Sequence, residues 1–131
     1  MTLILALESS CDETACAIIK DGKEILSNIV SSQINVHTQY GGVVPEVASR
    51  IHVENISTVI DEALKKANLT MDDIDAIAYT QGPGLIGSLH VGVQAAKTIA
   101  WTFHKPLIPI NHMTGHIWAN SFVADLKFPL L

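Results

Sequence analysis

The pair Asp21-Gly22, set between two apolar runs, constrains this chain more than any other short stretch. An Asp-Gly step accepts the positive backbone φ angles of a tight hairpin, so the runs on either side must lie antiparallel. Those runs, Ala15 to Lys20 and Lys23 to Ser31, read as strands. Upstream, Leu3 to Leu7 is a further apolar strand that ends at Glu8. It joins Ala15 through the polar turn Ser9-Ser10-Cys11-Asp12-Glu13-Thr14. The chain is therefore expected to open as an antiparallel meander whose first hairpin carries an acidic, hydroxyl-rich tip.

Beyond Gly41-Gly42 the period changes. Pro45 and Glu46 suit a helix start, and Val47, Ile51, Ile56, Val59, Ile60, Ala63, Leu64 and Ala67 recur at three- and four-residue spacing. The spacing predicts a helix to Lys66 or Ala67, with a bend near Val53. A strand over Ile74 to Thr80, a break at Gln81-Gly82-Pro83-Gly84, a helix from Ile86 to Phe103, a strand from Leu107 to Ile110 and a helix from near Asn111 complete the order. A meander followed by strand–helix alternation implies an α/β fold, a mixed five-stranded sheet flanked by helices. The layout resembles the ribonuclease-H-like lobe of the actin-like ATPase superfamily, a resemblance that speaks to fold and not to function. One lobe over 1–126 is expected. Lys127-Phe128-Pro129-Leu130-Leu131 reads as the opening of a further strand, and hence of a second lobe that is absent.

Composition enters through charge. Eight Lys and Arg against thirteen Asp and Glu give a net charge of −5, and only Lys65-Lys66 are adjacent cations. A stand-alone nucleic-acid binder presents a basic face, so this piece alone is expected to bind nucleic acid poorly. The N-terminus lacks a basic leader region and no window approaches a membrane span, which makes a cytoplasmic location the default. Cys16, within the apolar run ACAII, reads as a reduced core thiol, and no zinc-type CxxC spacing occurs.

Three features could carry chemistry. His112-Met113-Thr114-Gly115-His116 puts two imidazoles at i and i+4, one face of a helix, where both rings reach a common metal ion. The same spacing also arises on an ordinary solvated helix face. The glutamate of an HExxH peptidase motif is missing. Asp12 and Glu13, beside Ser9, Ser10 and Thr14, either bind a metal or substrate or form a plain polar turn. Gly82 and Gly84, between a strand and a helix N-terminus, either receive an anion or permit close helix–sheet packing. His37, His52, His90 and His104 show no partner spacing. Trp101 and Trp118 fall on apolar helix faces and read as packing residues.

In order, ESSCDETACAI, YGGVVPEVASRIHVENI, DAIAYTQGPGLIGSLHVG and PLIPINHMTGHIWA resemble the bacterial TsaD family, once called glycoprotease or O-sialoglycoprotein endopeptidase. The similarity covers nearly the whole chain. The resemblance implies two actin-like lobes with the active site between them. It implies that His112 and His116 ligate one divalent ion, iron or zinc, together with an aspartate of the second lobe. It matches Asp12 and Glu13 to an acidic catalytic pair at the cleft, with Ser10, Gly82 and Gly84 toward substrate. The implied reaction moves a threonylcarbamoyl group from threonylcarbamoyl-AMP to the adenosine that follows the anticodon in tRNA. A TsaB-like paralogue and a TsaE-like ATPase are the implied partners, and no membrane is involved. Asn111 stands where relatives often carry another His. With two of three ligands, this chain alone is expected to be inactive. A non-catalytic paralogue of the same fold would lack the His pair, as would a sugar or acetate kinase, and the peptidase label lacks its glutamate.

Overall fold

A computed structural model describes residues 1–122. The expected boundary at 126/127 and the strand opening at 127 lie outside the described residues. Strands β1 (Leu3–Glu8), β2 (Glu13–Lys20) and β3 (Glu24–Ser32) form the meander. A short helix α1 (Ile34–Thr38) leads to the long helix α2 (Pro45–Ala67). A 3-10 turn over Met71–Asp73 precedes β4 (Ala76–Gly82), followed by α3 (Ile86–Phe103), β5 (Leu107–Asn111) and α4 (His112–Ala119). The sheet order is β3-β2-β1-β4-β5. β1–β2 and β2–β3 pair antiparallel, whereas β1–β4 and β4–β5 pair parallel. This is the mixed five-stranded sheet read from the sequence, and the fold is ribonuclease-H-like.

Local chemistry explains the boundaries. Asp21 and Gly22 take positive φ angles of 53° and 73°, so the backbone reverses at the expected step. α2 starts with proline at its first position, where the missing N–H costs nothing, and stops at Asn68, which is left-handed at φ 57°. Asn111 caps α4, its side-chain oxygen accepting from the N–H groups of Met113 and Thr114.

Three expectations need correction. The segment from Ile74 begins as the exit of the 3-10 turn, and β4 starts only at Ala76. There the capping box of Thr70 and Asp73 holds the turn together. β4 also runs on through Gln81 and Gly82, with a register irregularity between Thr80 and Gly82. Helix α1 was not foreseen, because its five residues have too few apolar repeats to show a period. Trp101 is not a packing residue: it is 84% exposed, whereas Trp118 is about half covered.

Alternation along the strands decides where the core sits. Leu3, Leu5 and Leu7, with Cys16, Ile18 and Ile77, point to one face of the sheet, where Ile56, Val59 and Ala63 of α2 and Ala96 and Ala100 of α3 cover them. Truncating a fully buried side chain such as Leu5 costs roughly 2–5 kcal/mol.

The turn between β1 and β2 is tied to three helices. Ser9 Oγ donates to the Ser88 carbonyl of α3 at 2.6 Å and accepts from the Gly92 N–H at 3.1 Å. The Ser10 carbonyl accepts from the Leu85 N–H at 2.8 Å, just before α3. His52 of α2, fully buried, meets the Cys11 carbonyl through Nε2 at 2.8 Å and the Thr14 hydroxyl through Nδ1 at 2.7 Å. A neutral imidazole has one donor and one acceptor, so Nε2–H donates to Cys11 and Nδ1 accepts from Thr14. The Asp12 carbonyl accepts from Gln33 N–H, at the start of α1.

Two outcomes follow from this clamp. A Cβ added at Gly92 would sit 2.7 Å from Ser9 Oγ, a buried atom already held by two hydrogen bonds. Gly92→Ala is expected to lower unfolding stability by about 1–3 kcal/mol despite alanine's better helix propensity. Ser9→Ala in that background should recover part of the loss, as urea titration of the double-mutant cycle would read. Burial lowers the His52 imidazole below its ordinary value of 6.5, the Cys11 carbonyl, Glu8 and Asp12 opposing the shift. Below pH 6.5 the unfolded chain takes a proton that folded His52 resists, so stability should fall with pH through that window. Denaturation at pH 7.5 and at pH 5.5 should show this slope in the wild type and a flatter one in His52→Asn.

Candidate metal site

Three parallel strands end on the same side of the sheet, and their last residues meet. Glu8 closes β1, Thr80 lies near the end of β4, and Ile110 and Asn111 close β5. Open α/β sheets bind ligands outside such carboxyl ends. Here a cavity of about 440 Å³ is walled by those residues, by Ser10, Cys11 and Asp12 of the clamped turn, by Glu13 at the start of β2, and by His112, Gly115 and His116 of α4. Sequence-predicted Ser10, Asp12, Glu13, His112 and His116 are thus brought together. Gly82 and Gly84 stand apart from the lining. A Cβ at Gly84 would lie 2.7 Å from both Cβ and the carbonyl oxygen of Ser10, so this glycine lets the loop before α3 press against the turn.

The imidazoles face each other as the helical spacing predicts. His112 Nε2 and His116 Nε2 are 2.9 Å apart, with the ring planes at 80°. Two ring nitrogens this close repel as bare lone pairs and require a proton or a cation between them. In a metal-free chain one Nε2–H donates to the other. With both deprotonated, an ion about 2.0–2.1 Å from each satisfies the pair. Imidazole nitrogen suits zinc and iron alike, so these residues fit the ion implied by their motif. Among the described residues, no group of three or more His, Cys, Asp or Glu side chains is placed to hold a metal.

Glu8 was not singled out from the sequence. Its Oε2 lies 3.3 Å from His112 Nδ1 and accepts from the Thr80 hydroxyl, while Oε1 accepts from the Ser10 N–H. Ser10 Oγ is 3.2 Å from the same His112 nitrogen. Burial raises the Glu8 carboxyl, but hydrogen bonds from Ser10, Thr80 and His112 outweigh it and leave the group below its ordinary value. An ionised carboxylate only accepts, so the ring hydrogen of His112 belongs on Nδ1 and its Nε2 lone pair faces His116. The available signal was a lone acidic residue ending an otherwise apolar buried strand.

The cysteines are both free. Cys16 is fully buried and its thiol is pushed up to about 12 by burial, in keeping with a core role. Cys11 lines the cavity, but burial and then the nearby Asp12 and Glu8 charges raise it too. A thiol held protonated is a poor nucleophile.

Residues 24–131 match the family described as TsaD: tRNA N6-adenosine threonylcarbamoyltransferase. Proteins of that name from Staphylococcus saprophyticus and Listeria monocytogenes are 65% and 60% identical over 130 residues. Each alignment covers 99% of this chain, and the chain spans 38% of the length of each relative. Among solved structures, YeaZ from Pseudomonas aeruginosa superposes with a TM-score of 0.63 at 18% identity, over 85% of this chain and 43% of that one. A T. thermophilus RuvC, solved in complex with a Holliday junction substrate, superposes at 0.58 with 11% identity, over 100% of this chain and 84% of that one. At such identities these likenesses show the fold alone.

Proposed function

The chain belongs to the TsaD family of tRNA N6-adenosine threonylcarbamoyltransferases, and we propose that it forms one wall of the site where that transfer occurs. The donor is threonylcarbamoyl-AMP. The acceptor is the N6 amine of the adenosine 3′ of the anticodon, in tRNAs reading codons that begin with A. The observation that carries the reading is the 2.9 Å approach of the His112 and His116 Nε2 atoms inside a cavity that also holds Asp12 and Glu13.

In the reaction, N6 attacks the carbamoyl carbon, the bond from that carbon to the phosphate oxygen breaks, AMP leaves with the electron pair, and N6 loses a proton. An adenine amine is a weak nucleophile, so placement and charge stabilisation matter more than a strong base. A divalent ion, iron or zinc, held by His112 and His116 would supply Lewis acidity and a template for the threonylcarbamoyl oxygens. Asp12 and Glu13 face the same space and can order substrate hydroxyl and amide groups or accept the N6 proton. The Ser10 hydroxyl lines the same space and lies 3.2 Å from His112 Nδ1. Gly84 keeps the neighbouring loop close to Ser10, on the side we assign, with Gly82, to the donor nucleotide. The third ligand, an aspartate, comes from outside the described residues, and the isolated 131-residue chain is expected to transfer little or nothing.

The partners follow the same reading. A net charge of −5 leaves tRNA contact largely to other surfaces. We assign a TsaB-like paralogue to α2, where exposed Val53 lines an apolar groove shared with α3, and a TsaE-like ATPase completes the set. No helix among the described residues is long and apolar enough to cross a membrane, which is compatible with a cytoplasmic enzyme.

The test uses the full natural polypeptide that contains these residues, with threonylcarbamoyl-AMP and tRNA. Modified nucleoside is measured by mass spectrometry and bound metal by elemental analysis. His112→Ala with His116→Ala should lose the metal and slow transfer on the order of 10²-fold or more. Unchanged metal content and unchanged transfer in the double variant would overturn the assignment.

A further inference from the structure

His112 and His116 sit on a helix that is largely exposed, so the fold must orient the rings by contacts from elsewhere. Two groups reach His112 Nδ1, the Ser10 hydroxyl at 3.2 Å and a carboxylate at 3.3 Å, and of the two only the ionised carboxylate has no hydrogen of its own to donate to the ring. Glu8, anchored at the end of the central strand β1, directs Oε2 at His112 Nδ1 at 3.3 Å. That carboxylate is itself held from two sides, by the Thr80 hydroxyl of the adjacent parallel strand and by the Ser10 backbone N–H of the clamped turn. Its oxygen therefore has a fixed place, and the ring it meets is part of a pair whose other nitrogens converge.

We propose that Glu8 is a positioning residue for the ligand pair: it holds the His112 ring hydrogen on Nδ1 and so presents Nε2 as a bare lone pair toward His116. Ligating histidines generally donate their second ring N–H to a carboxylate or carbonyl, which fixes the tautomer and raises ligand basicity. Glu8 supplies that partner across 104 residues of sequence. Because it is bonded at the same time to β4 and to the turn that bears Asp12 and leads into Glu13, the ring, the acidic turn and the strand ends move as one unit. The inference rests on the His pair being the metal site, but its first readout needs no metal.

In metal-free full polypeptide, ¹⁵N NMR of the His112 ring reads the tautomer directly. The wild type should show the Nδ1–H form. Glu8→Ala should lose that preference, and Glu8→Met serves the same purpose with the volume filled if the truncated protein fails to fold. Glu8→Gln, whose amide oxygen accepts the same hydrogen, should restore it. Thr80→Val, which removes one of the two bonds that fix the Glu8 carboxylate, should weaken the Nδ1–H preference without abolishing it. Titration with Zn²⁺ alone should then show affinity reduced roughly 10–100-fold in Glu8→Ala or Glu8→Met and largely recovered in Glu8→Gln. An unchanged tautomer and unchanged affinity in the variants without an acceptor overturns the role of Glu8 while leaving the ligand pair standing. Wild-type affinity no better than that of His112→Ala with His116→Ala overturns the pair itself, and this inference with it.

Discussion

The polar turn between β1 and β2 is where this fold and its site depend on each other. Its four residues, Ser9 to Asp12, and the first two of β2, Glu13 and Thr14, would adopt many conformations in water, and ordering each costs on the order of 1–2 kcal/mol. They are ordered because their backbone and hydroxyl groups are drawn into the protein. Ser9 lies under α3, Ser10 under the entry to α3, Cys11 and Thr14 against His52 of α2, and Asp12 against the start of α1. Each bond contributes only about 0.5–1.5 kcal/mol net, but an orphaned buried partner would cost about 1–3. The set is mutually dependent, since losing one anchor exposes the rest. What is left for chemistry is the cavity-lining side chains: Asp12 of the turn, Glu13 at the start of β2, and the Ser10 hydroxyl beside His112.

The sheet does the rest of the positioning. Parallel pairing of β1, β4 and β5 brings three carboxyl ends to one edge, and the step from β5 into α4 follows at once, with Asn111 both ending the strand and capping the helix. This abrupt change places His112 in the first turn of α4, directly above Glu8 and Thr80. A longer connection would have loosened the relation between ring and carboxylate. The site is therefore assembled from the turn of a meander, the ends of parallel strands and the start of one helix. None of these elements walls the cavity alone.

Much of this was legible in the chain before any coordinates. Asp21-Gly22 announced the hairpin, the apolar periods announced α2 and α3, and the i, i+4 spacing put the two imidazoles on one face because helical geometry is local. The features that escaped share a physical cause: they depend on contacts between distant residues. Glu8 acquires its meaning from Thr80 and His112, 72 and 104 positions away. His52 looks like one more residue on an amphipathic helix until Thr14, 38 positions away, is found against it. Gly84 read equally well as an anion loop or a packing glycine, and the structure shows the near contact with Ser10 that explains its small size. Trp101 shows the reverse error. It has an apolar period around it, but the sheet lies on the other side of α3, and no local pattern reveals that.

The central claim is that the fold prearranges His112 and His116 to share one ion at the mouth of the cavity beside the acidic turn. The most direct measurement is anomalous X-ray diffraction at the zinc edge, on crystals of the full natural polypeptide grown with Zn²⁺. The account predicts a single strong peak about 2.0–2.1 Å from the Nε2 atoms of both histidines, with Glu8 still at His112 Nδ1. A map with the metal elsewhere, or with the two rings turned apart and no peak between them, would contradict it.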